Sequence, residues 1–577
     1  MKKRFVSIAL CMLMLLTTIA TAACGDDSAE DTLALESNTA EAMTLSIWGI
    51  KGEGTTDEAV AAVEAAMSKI TEVQFNTAIE LNLYDEDEYK DALVERMDTI
   101  QAQIDAEKAE AEARKQAEKE AKKRGEEITK VETTETTADT ADETILDEYG
   151  LPTTLYPEVE EDQLDIFLIT DYDMLKELNE KQVLSSLDEQ LSGSSKLIKQ
   201  YLHPTIVSAG KVGGKTVAIP NQQLVGEYTY MLVNKELFDK YYWDIDNVST
   251  LADVYDFILD VKREEPEYQP LVGDVSPINI NYFSLNGQRT VFGNMLGVDK
   301  VSGDAFEPMF LFSSTNWKQY IRLYKKIDHA GCIPTEEYTT FTPETKFGVG
   351  IMKGTEVDLA AYTEDYHAIV LQVPQGTSDN IYNGMFAVST YTKNLARSME
   401  IITYLNTESD LRNLFGYGIE GVHYTVGEDG VVDVISDEYN MKLEYTGNCF
   451  MAYVPEGQPA DYWDIAKRHN IELVLSPYFQ FEITEDMFDE DMMKLYEEIL
   501  DFSEEFYDAL DKTTNEDEVE DCIDYYWELC DDDEADDGKY NGKLKLWVEP
   551  TPLAENEDED PPMTIGKLYK EWFNKKR

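Results

Sequence analysis

Met43 to Ile50 reads MTLSIWGI, Lys51 to Thr56 reads KGEGTT, Asp57 to Ile70 reads DEAVAAVEAAMSKI, and Phe75 to Tyr84 reads FNTAIELNLY. The first run alternates as a strand does, with Thr44 and Ser46 set between Met43, Leu45 and Ile47. Gly49 and the stretch Gly52 to Thr56 supply loop residues. From Asp57 to Lys69, Val60, Val63, Ala66, Met67 and Ile70 recur at helical spacing, and a second strand follows over Phe75 to Tyr84. A strand-loop-helix-strand order predicts an α/β fold with a largely parallel sheet, whose ligands favour the loops at the carboxyl ends of the strands.

Downstream, Asp85 opens a helix that outruns any globular need. Asp105 to Arg124 carries no apolar face, and Glu110/Arg114, Glu118/Lys122 and Glu120/Arg124 form i,i+4 pairs, so this part is expected to project into solvent. With the following Thr/Glu linker it makes an insertion over 105–145. Asp165 to Thr170 (DIFLIT) reads as an apolar strand with Asp171 and a helix behind it. Gly214 to Pro220 and Tyr228 to Val233 read as strands, and Asn234 opens a helix. Helices are expected at 250–265, 316–328 and Leu395 to Leu405, and strands at Asp358 to Ala361, Ile369 to Val373 and Gly384 to Ser389. The last hundred residues read as helical and acidic, with Val519, Cys522, Ile523, Tyr526 and Cys530 on one stripe. Residues 531–562 read as acidic loop around a short strand at Leu544 to Val548.

The 577 residues hold 49 Lys+Arg against 116 Asp+Glu, a net charge of −67, with 43% hydrophobic and 11% aromatic residues. So much apolar area excludes global disorder, and the length allows roughly two to four domains of about 100–200 residues. The acidity excludes a nucleic-acid partner, which would need a basic face, and excludes binding to anionic lipid by surface charge. Lys2, Lys3 and Arg4 precede an apolar run from Phe5 to Ala23, an export signal ending in Thr21-Ala22-Ala23-Cys24. Small residues before a cysteine resemble a bacterial lipoprotein signal over 1–23, which implies lipidation of Cys24 and an acidic tether over 24–42; the alternative is an uncleaved anchor helix, since the apolar run approaches the ~20 residues that span a bilayer. Cys332, Cys449, Cys522 and Cys530 are then expected as buried thiols. Cys522 and Cys530 lie about 12 Å of helical rise apart, too far to bridge each other.

Catalytic and metal signatures are absent from the sequence. His203, His329, His367, His423 and His469 lack ligand spacing, and no CxxC, GxSxG or phosphate-binding loop appears. The DDDEADDG run fails the calcium-loop template, because with Gly538 as its sixth position Ala535 falls third and Leu544 twelfth. No catalytic residue, metal or cofactor is expected.

A strand ending in Trp48 with Lys51 and Glu53 beyond it, DIFLITD, GKTVAIPN, YTYMLVNKELFDK, GMFAVSTYTKNLARSMEIITYL and LRNLFGYGIEGVHYTV follow one another here. This succession is similar to the extracellular solute-binding proteins of bacterial ABC importers. Within them it resembles the family 1, sugar-binding branch, especially large lipoproteins of Firmicutes. The resemblance covers about 43–105 and 146–510. It implies a two-lobe, periplasmic-binding-protein-like (type II) fold with a hinge and an interlobe cleft. Hinge crossings would fall near Asn221–Glu227, Gly384–Ala387 and after Tyr424. One lobe would be 43–221 plus 387–445, and the other 222–386 plus 446–577.

A sugar offers apolar C–H faces to aromatic rings and hydroxyl edges to planar polar groups, so a sugar cleft interleaves the two. By position the resemblance implies ligand contacts from Trp48, Lys51, Glu53, Thr170, Asp171, Asn221, Glu227, Tyr228, Tyr362 and Asn383. Asp171 has a second reading as a helix N-cap, Trp48, Tyr362 and Tyr228 as core residues, Lys51 and Glu53 as exposed loop charges, and Glu227 as a hinge hydrogen-bonder. The expected function is capture of a sugar or oligosaccharide by a lipid-anchored monomer on the outer face of the cell membrane, with permease subunits as partners. The alternative is a secreted glycoside-active enzyme using a carboxylate pair. An adhesion module built on the projecting helix is the third reading.

Overall fold

The structure is a computed structural model that describes residues 41–124, 155–201, 204–242, 244–275, 282–284, 296–299, 309–310, 315–378, 380–475, 479–480 and 490–531. The chain divides into two compact units, Met1–Glu41 and Ala42–Arg577, and the account below concerns the second. The expected signal, the lipidated Cys24, the Thr/Glu linker and the strand at Leu544 to Val548 lie outside the described residues.

In chain order, β1 (Met43–Ile50), α1 (Asp57–Phe75), β2 (Thr77–Tyr84), α2 (Glu86–Arg124), β3 (Ile166–Ile169), α3 (Tyr172–Glu180) and β4 (Ala218–Pro220) come first. Next are β5 (Tyr228–Asn234), α4 (Lys235–Tyr241), α5 (Tyr255–Glu264), β6 (Gln269–Gly273), α6 (Thr315–His329), β7 (Phe347–Gly354), α7 (Glu356–Ala360) and β8 (Tyr366–Gln372). The chain continues through β9 (Met385–Val388), α8 (Leu395–Thr407), α9 (Ser409–Tyr417), α10 (Tyr462–Glu472), α11 (Glu490–Asp511) and α12 (Glu516–Asp531).

Two sheets organise these elements. The first has the order β2-β1-β3-β9-β4, with β1 parallel to β2 and β3, and β9 antiparallel to β3 and β4. Its strands carry Leu45, Ile47, Ile166, Phe167, Leu168 and Phe386 into one large core. Tyr89 of α2 knits it: its fully buried hydroxyl donates to the Leu168 carbonyl at 2.7 Å and accepts from the Leu168 N–H at 2.9 Å. The second sheet has the order β8-β5-β7-β6, with β7 parallel to β6 and antiparallel to β5. One face, with Met231, Val233, Val349 and Ile351, packs on α4 and α5 through Leu237, Phe238, Phe257 and Ile258. The other face is aromatic, with Tyr230, Phe347, Tyr362 and Tyr366.

Helix starts follow local chemistry. Thr56 accepts from the Ala59 N–H at 3.2 Å to cap α1, which runs on past Lys69 to Phe75 and stops at Asn76 in the left-handed region (φ 51°). The expected strand at Asp358 to Ala361 is instead helix α7. Thr355 and Asp358 form a reciprocal capping box, the Asp358 carboxylate accepting from the Thr355 N–H at 2.8 Å, and this outweighs the apolar look of the segment. Helix α2 spans 39 residues, and it buries Tyr89, Leu93, Met97 and Ile100. Every residue from Asp105 to Gln116 is exposed. Helices α11 and α12 pack on α6, where Trp317 meets Phe506 and Arg322 grips Glu520 through two bonds of 2.5 and 2.7 Å. Cys332, Cys449 and Cys522 are free thiols, the first two buried.

Two chain segments link the sheets, β4 to β5 and β8 to β9, and a third, which leads on to α10, lies beside them. The Asn221 N–H donates to the Gly384 carbonyl at 3.0 Å, and the Cys449 N–H to the Gln222 carbonyl at 2.7 Å. Asn470 clamps the first segment twice, through Val225 (3.1 Å) and Gln223 (2.7 Å). Gly384 has φ 89° with the Glu444 carbonyl 2.3 Å from where a Cβ would stand, so only glycine allows this approach.

Candidate binding cleft between the sheets

Strand register fixes one wall. Ile50 pairs with Tyr84, Trp48 with Phe167, and Met385 with both Ile169 and Pro220. Tyr84, Lys51, Thr170, Gly384 and Asn221 therefore line one end of the first sheet, the carboxyl end of its parallel strands. The opposing wall is the carboxyl end of β6 and β7. There Ile351 pairs with Gly273, Lys353 with Thr229, and Gly354 with Tyr228.

The hinge floor carries Glu227. Its carboxyl is pushed above the usual range, first by burial against the cleft walls and then by the charge of Asp358, while His469 and Lys353 pull the other way. With Thr229, Lys353, Gln372, Gln375 and Asn380 it lines a cavity of about 490 Å³. A second cavity of about 340 Å³ lies against Asp274, Phe341, Met352 and Tyr362.

The expected site residues divide by what they touch. Trp48 is 7% exposed within the first core, with one face stacked on Tyr84 at 5.3 Å. Asp171 caps α3, accepting from the Met174 N–H at 2.8 Å, and Thr170 turns its hydroxyl toward Asp171 (3.4 Å). Lys51 faces Asp57 at 3.7 Å, and Glu53 is exposed. Asn221 donates to the Glu444 carbonyl at 2.9 Å, while its buried Oδ1 has no protein partner. The Asn383 carbonyl accepts from Gln223. Tyr228 donates to Glu472 and packs edge-on against His469 at 4.8 Å. Tyr362 is buried, packing on Phe341 at 5.7 Å and lining the smaller cavity. The structure thus brings Glu227, Tyr228 and Tyr362 to the second wall. It spends Asn221 and Asn383 on hinge bonds.

Sequence reading missed Tyr462 and Trp463 at the start of α10. Both are half-buried, with ring centroids 4.9 Å apart, and the Trp463 Nε1 donates to the Tyr453 carbonyl at 3.2 Å. Burial pushes the Tyr462 phenol up, helped by the charges of Asp358, Glu227 and Glu444 around it. This ring therefore stands within electrostatic reach of carboxylates from the hinge floor, from α7 and from the third segment. The Tyr-Trp dipeptide behind VPEGQPAD was the available signal.

His469 is also newly placed. It is fully buried, with Nδ1 3.2 Å from the Gly226 carbonyl and Nε2 2.6 Å from the Glu356 carboxylate. Each ring nitrogen thus faces an oxygen acceptor, one from the hinge backbone and one from α7. Burial works to raise the Glu356 carboxyl, but the bond from His469 and the charges of His469 and Arg468 hold it below the ordinary range. A depressed native value adds stability above the unfolded value and loses it as pH falls through the native one. Since Glu356 is part-exposed, Glu356→Gln is expected to cost only about 1 kcal/mol at neutral pH. It should also flatten the acid limb of stability, which urea unfolding from pH 3 to 7 would read; an unchanged acid limb would show the pair is inert.

No protein-family model matches the chain. A carbohydrate ABC transporter substrate-binding protein of Streptococcus pneumoniae serotype 4 is 23% identical over 327 residues, 53% of this chain and 65% of that relative. The match thus spans just under two thirds of the relative's length. Among solved structures, the N-glycan transport solute binding protein (NgtS) of Streptococcus pneumoniae aligns with a TM-score of 0.52 at 17% identity, covering 84% of this chain and 99% of that one. An extracellular solute-binding protein of Bifidobacterium longum subsp. infantis aligns at 0.47 and 14% identity, covering 93% of this chain and 98% of that one. The fold is that of the two-lobe solute-binding proteins, in agreement with the resemblance read from the sequence.

Proposed function

We propose that this protein is the extracellular binding component of an ABC importer, which captures an oligosaccharide between its lobes and delivers it to permease subunits without making or breaking a bond. The lobes are 43–221 plus 387–445 and 222–386 plus 446–577, a lipid on Cys24 holds the monomer to the outer face of the membrane, and 105–145 is an appended arm. The observation that carries this reading is the half-buried Tyr462–Trp463 pair, with Tyr462 within reach of the charges of Asp358, Glu227 and Glu444. Aromatic faces beside hydroxyl-accepting carboxylates suit a pyranose, and a ligand touching both walls favours the closed state. The carbohydrate named for the pneumococcal relative points the same way.

Calorimetry of the full chain against a glycan panel tests it. At least one oligosaccharide should bind and be recovered intact, and Tyr462→Ala should weaken it about ten- to a hundredfold, as for an interface aromatic. Cleaved glycan in the recovered ligand would establish the enzyme instead, and binding untouched by Tyr462→Ala would move the site elsewhere.

A further inference from the structure

The end of β7 separates two chemically different cavities. Strand β6 stops at Gly273 opposite Ile351, so Met352 to Gly354 run on with no β6 neighbour on that side. The 340 Å³ cavity opens past the end of β6, against Asp274, Met352, Phe341 and Tyr362. On the other side β5 continues, with Thr229 opposite both Lys353 and Gln372, and there the 490 Å³ cavity reaches back to Glu227, Gln375 and Asn380. Only Thr229 and Lys353 line both. Thr229 is buried and Lys353 exposed, so of the two residues shared by the cavities the lysine is the one open to a ligand.

We infer that Lys353 sets ligand length, dividing the cleft into a polar subsite at the hinge and an aromatic subsite beyond it, so that the preferred ligand is a glycan long enough to occupy both. This rests on the oligosaccharide reading above and specifies it. Each volume is at or below the middle of the range for small-ligand pockets, so neither cavity alone houses an extended chain. The linings differ as the two ends of a bridging ligand would require. Amides and a carboxylate at the hinge take hydroxyls, whereas Phe341, Met352 and Tyr362 offer apolar contact to a ring face. The lysine ammonium has three donors and no acceptor. It therefore meets what crosses it through ring, linkage or hydroxyl oxygens. Lys353 is exposed and lowers the Glu227 carboxyl by its charge, so the same ammonium can face a ligand crossing between the cavities.

The test is a calorimetric length series on the full-length protein, using gluco-, manno- and N-acetylglucosamine ligands of one to six units, with wild type, Lys353→Ala and Lys353→Gln. The exposed position makes both variants foldable, which thermal melts would verify. In the wild type, affinity should rise at least tenfold between the single unit and the first length that spans both cavities. Lys353→Ala should abolish most of that step, with a smaller loss for the single unit, and Lys353→Gln, which keeps two donors, should restore part of it. An equal loss at every length would make Lys353 a general contact, and no loss at any length would remove the division, both with wild-type binding intact. A wild type that binds no member of the series overturns the oligosaccharide reading itself.

Discussion

An Asp165→Ala protein is expected to lose about 3–5 kcal/mol of unfolding free energy, because a buried donor that loses its acceptor costs about 1–3 kcal/mol and four donors, the Ser46 N–H and hydroxyl, Gln163 and Thr392, lose this one. Asp165 is fully buried at the entry to β3. Its Oδ2 accepts from the Ser46 N–H at 2.9 Å and from Gln163 Nε2 at 2.7 Å, and its Oδ1 from the Thr392 hydroxyl at 2.6 Å. One carboxylate thus ties β1, the approach to β3, and the loop after β9, the three elements that hold the first wall of the cleft. Burial nonetheless pushes the carboxyl above its ordinary range, with the four hydrogen bonds pulling it back only in part. The native state then holds the proton more tightly than the unfolded chain does. The contribution of this group therefore declines as pH climbs from the usual carboxylate value through the raised one. Asp165→Asn should remove that decline while costing less at neutral pH. Urea unfolding of the three proteins between pH 4 and 8 reads both effects, and an Asp165→Ala protein as stable as wild type would show that the network carries no energy.

Local patterns made the strands legible where a whole element buries one kind of face. MTLSIWGI, DIFLIT and YTYMLV announce β1, β3 and β5 because alternating or continuous apolar runs have few other uses. Where a short segment is decided by side chain to backbone bonds, apolar content misleads: Asp358 to Ala361 reads as a strand, yet the Thr355/Asp358 spacing was the stronger signal. At the hinge the sequence reading chose Glu227, which precedes β5, and Tyr228, which opens it. It did not choose Tyr462 or Trp463, since only the fold brings residues more than 230 positions apart against Glu227. Asp171 shows the converse difficulty, because a carboxylate at a strand end and a carboxylate capping a helix look identical in sequence.

Trp48→Ala is expected to destabilise the fold by about 3–5 kcal/mol, the range for truncating a buried tryptophan, rather than to act chiefly on ligand affinity. The indole is 7% exposed and lies on Tyr84 with an interplanar angle of 21°. Removing it empties a space in a core whose neighbouring strands, held by Tyr89 hydrogen bonds to Trp48 and Leu168, cannot close around the gap. The same ring carries a weakness, since its Nε1 is buried without a protein partner. Trp48→Phe keeps the stacking and deletes that unpaired donor, so the lost apolar area is offset and the cost should fall to about 1 kcal/mol. Ordering the pair by urea midpoints, and measuring glycan affinity at a temperature where both remain folded, separates the two roles. A core residue gives a large Ala effect and a small Phe effect on stability, with affinity following the folded fraction. If Trp48→Ala instead unfolds at the wild-type midpoint but binds glycan at least tenfold more weakly, the indole is a ligand platform. The unpaired Nε1 would then be its contact to the sugar.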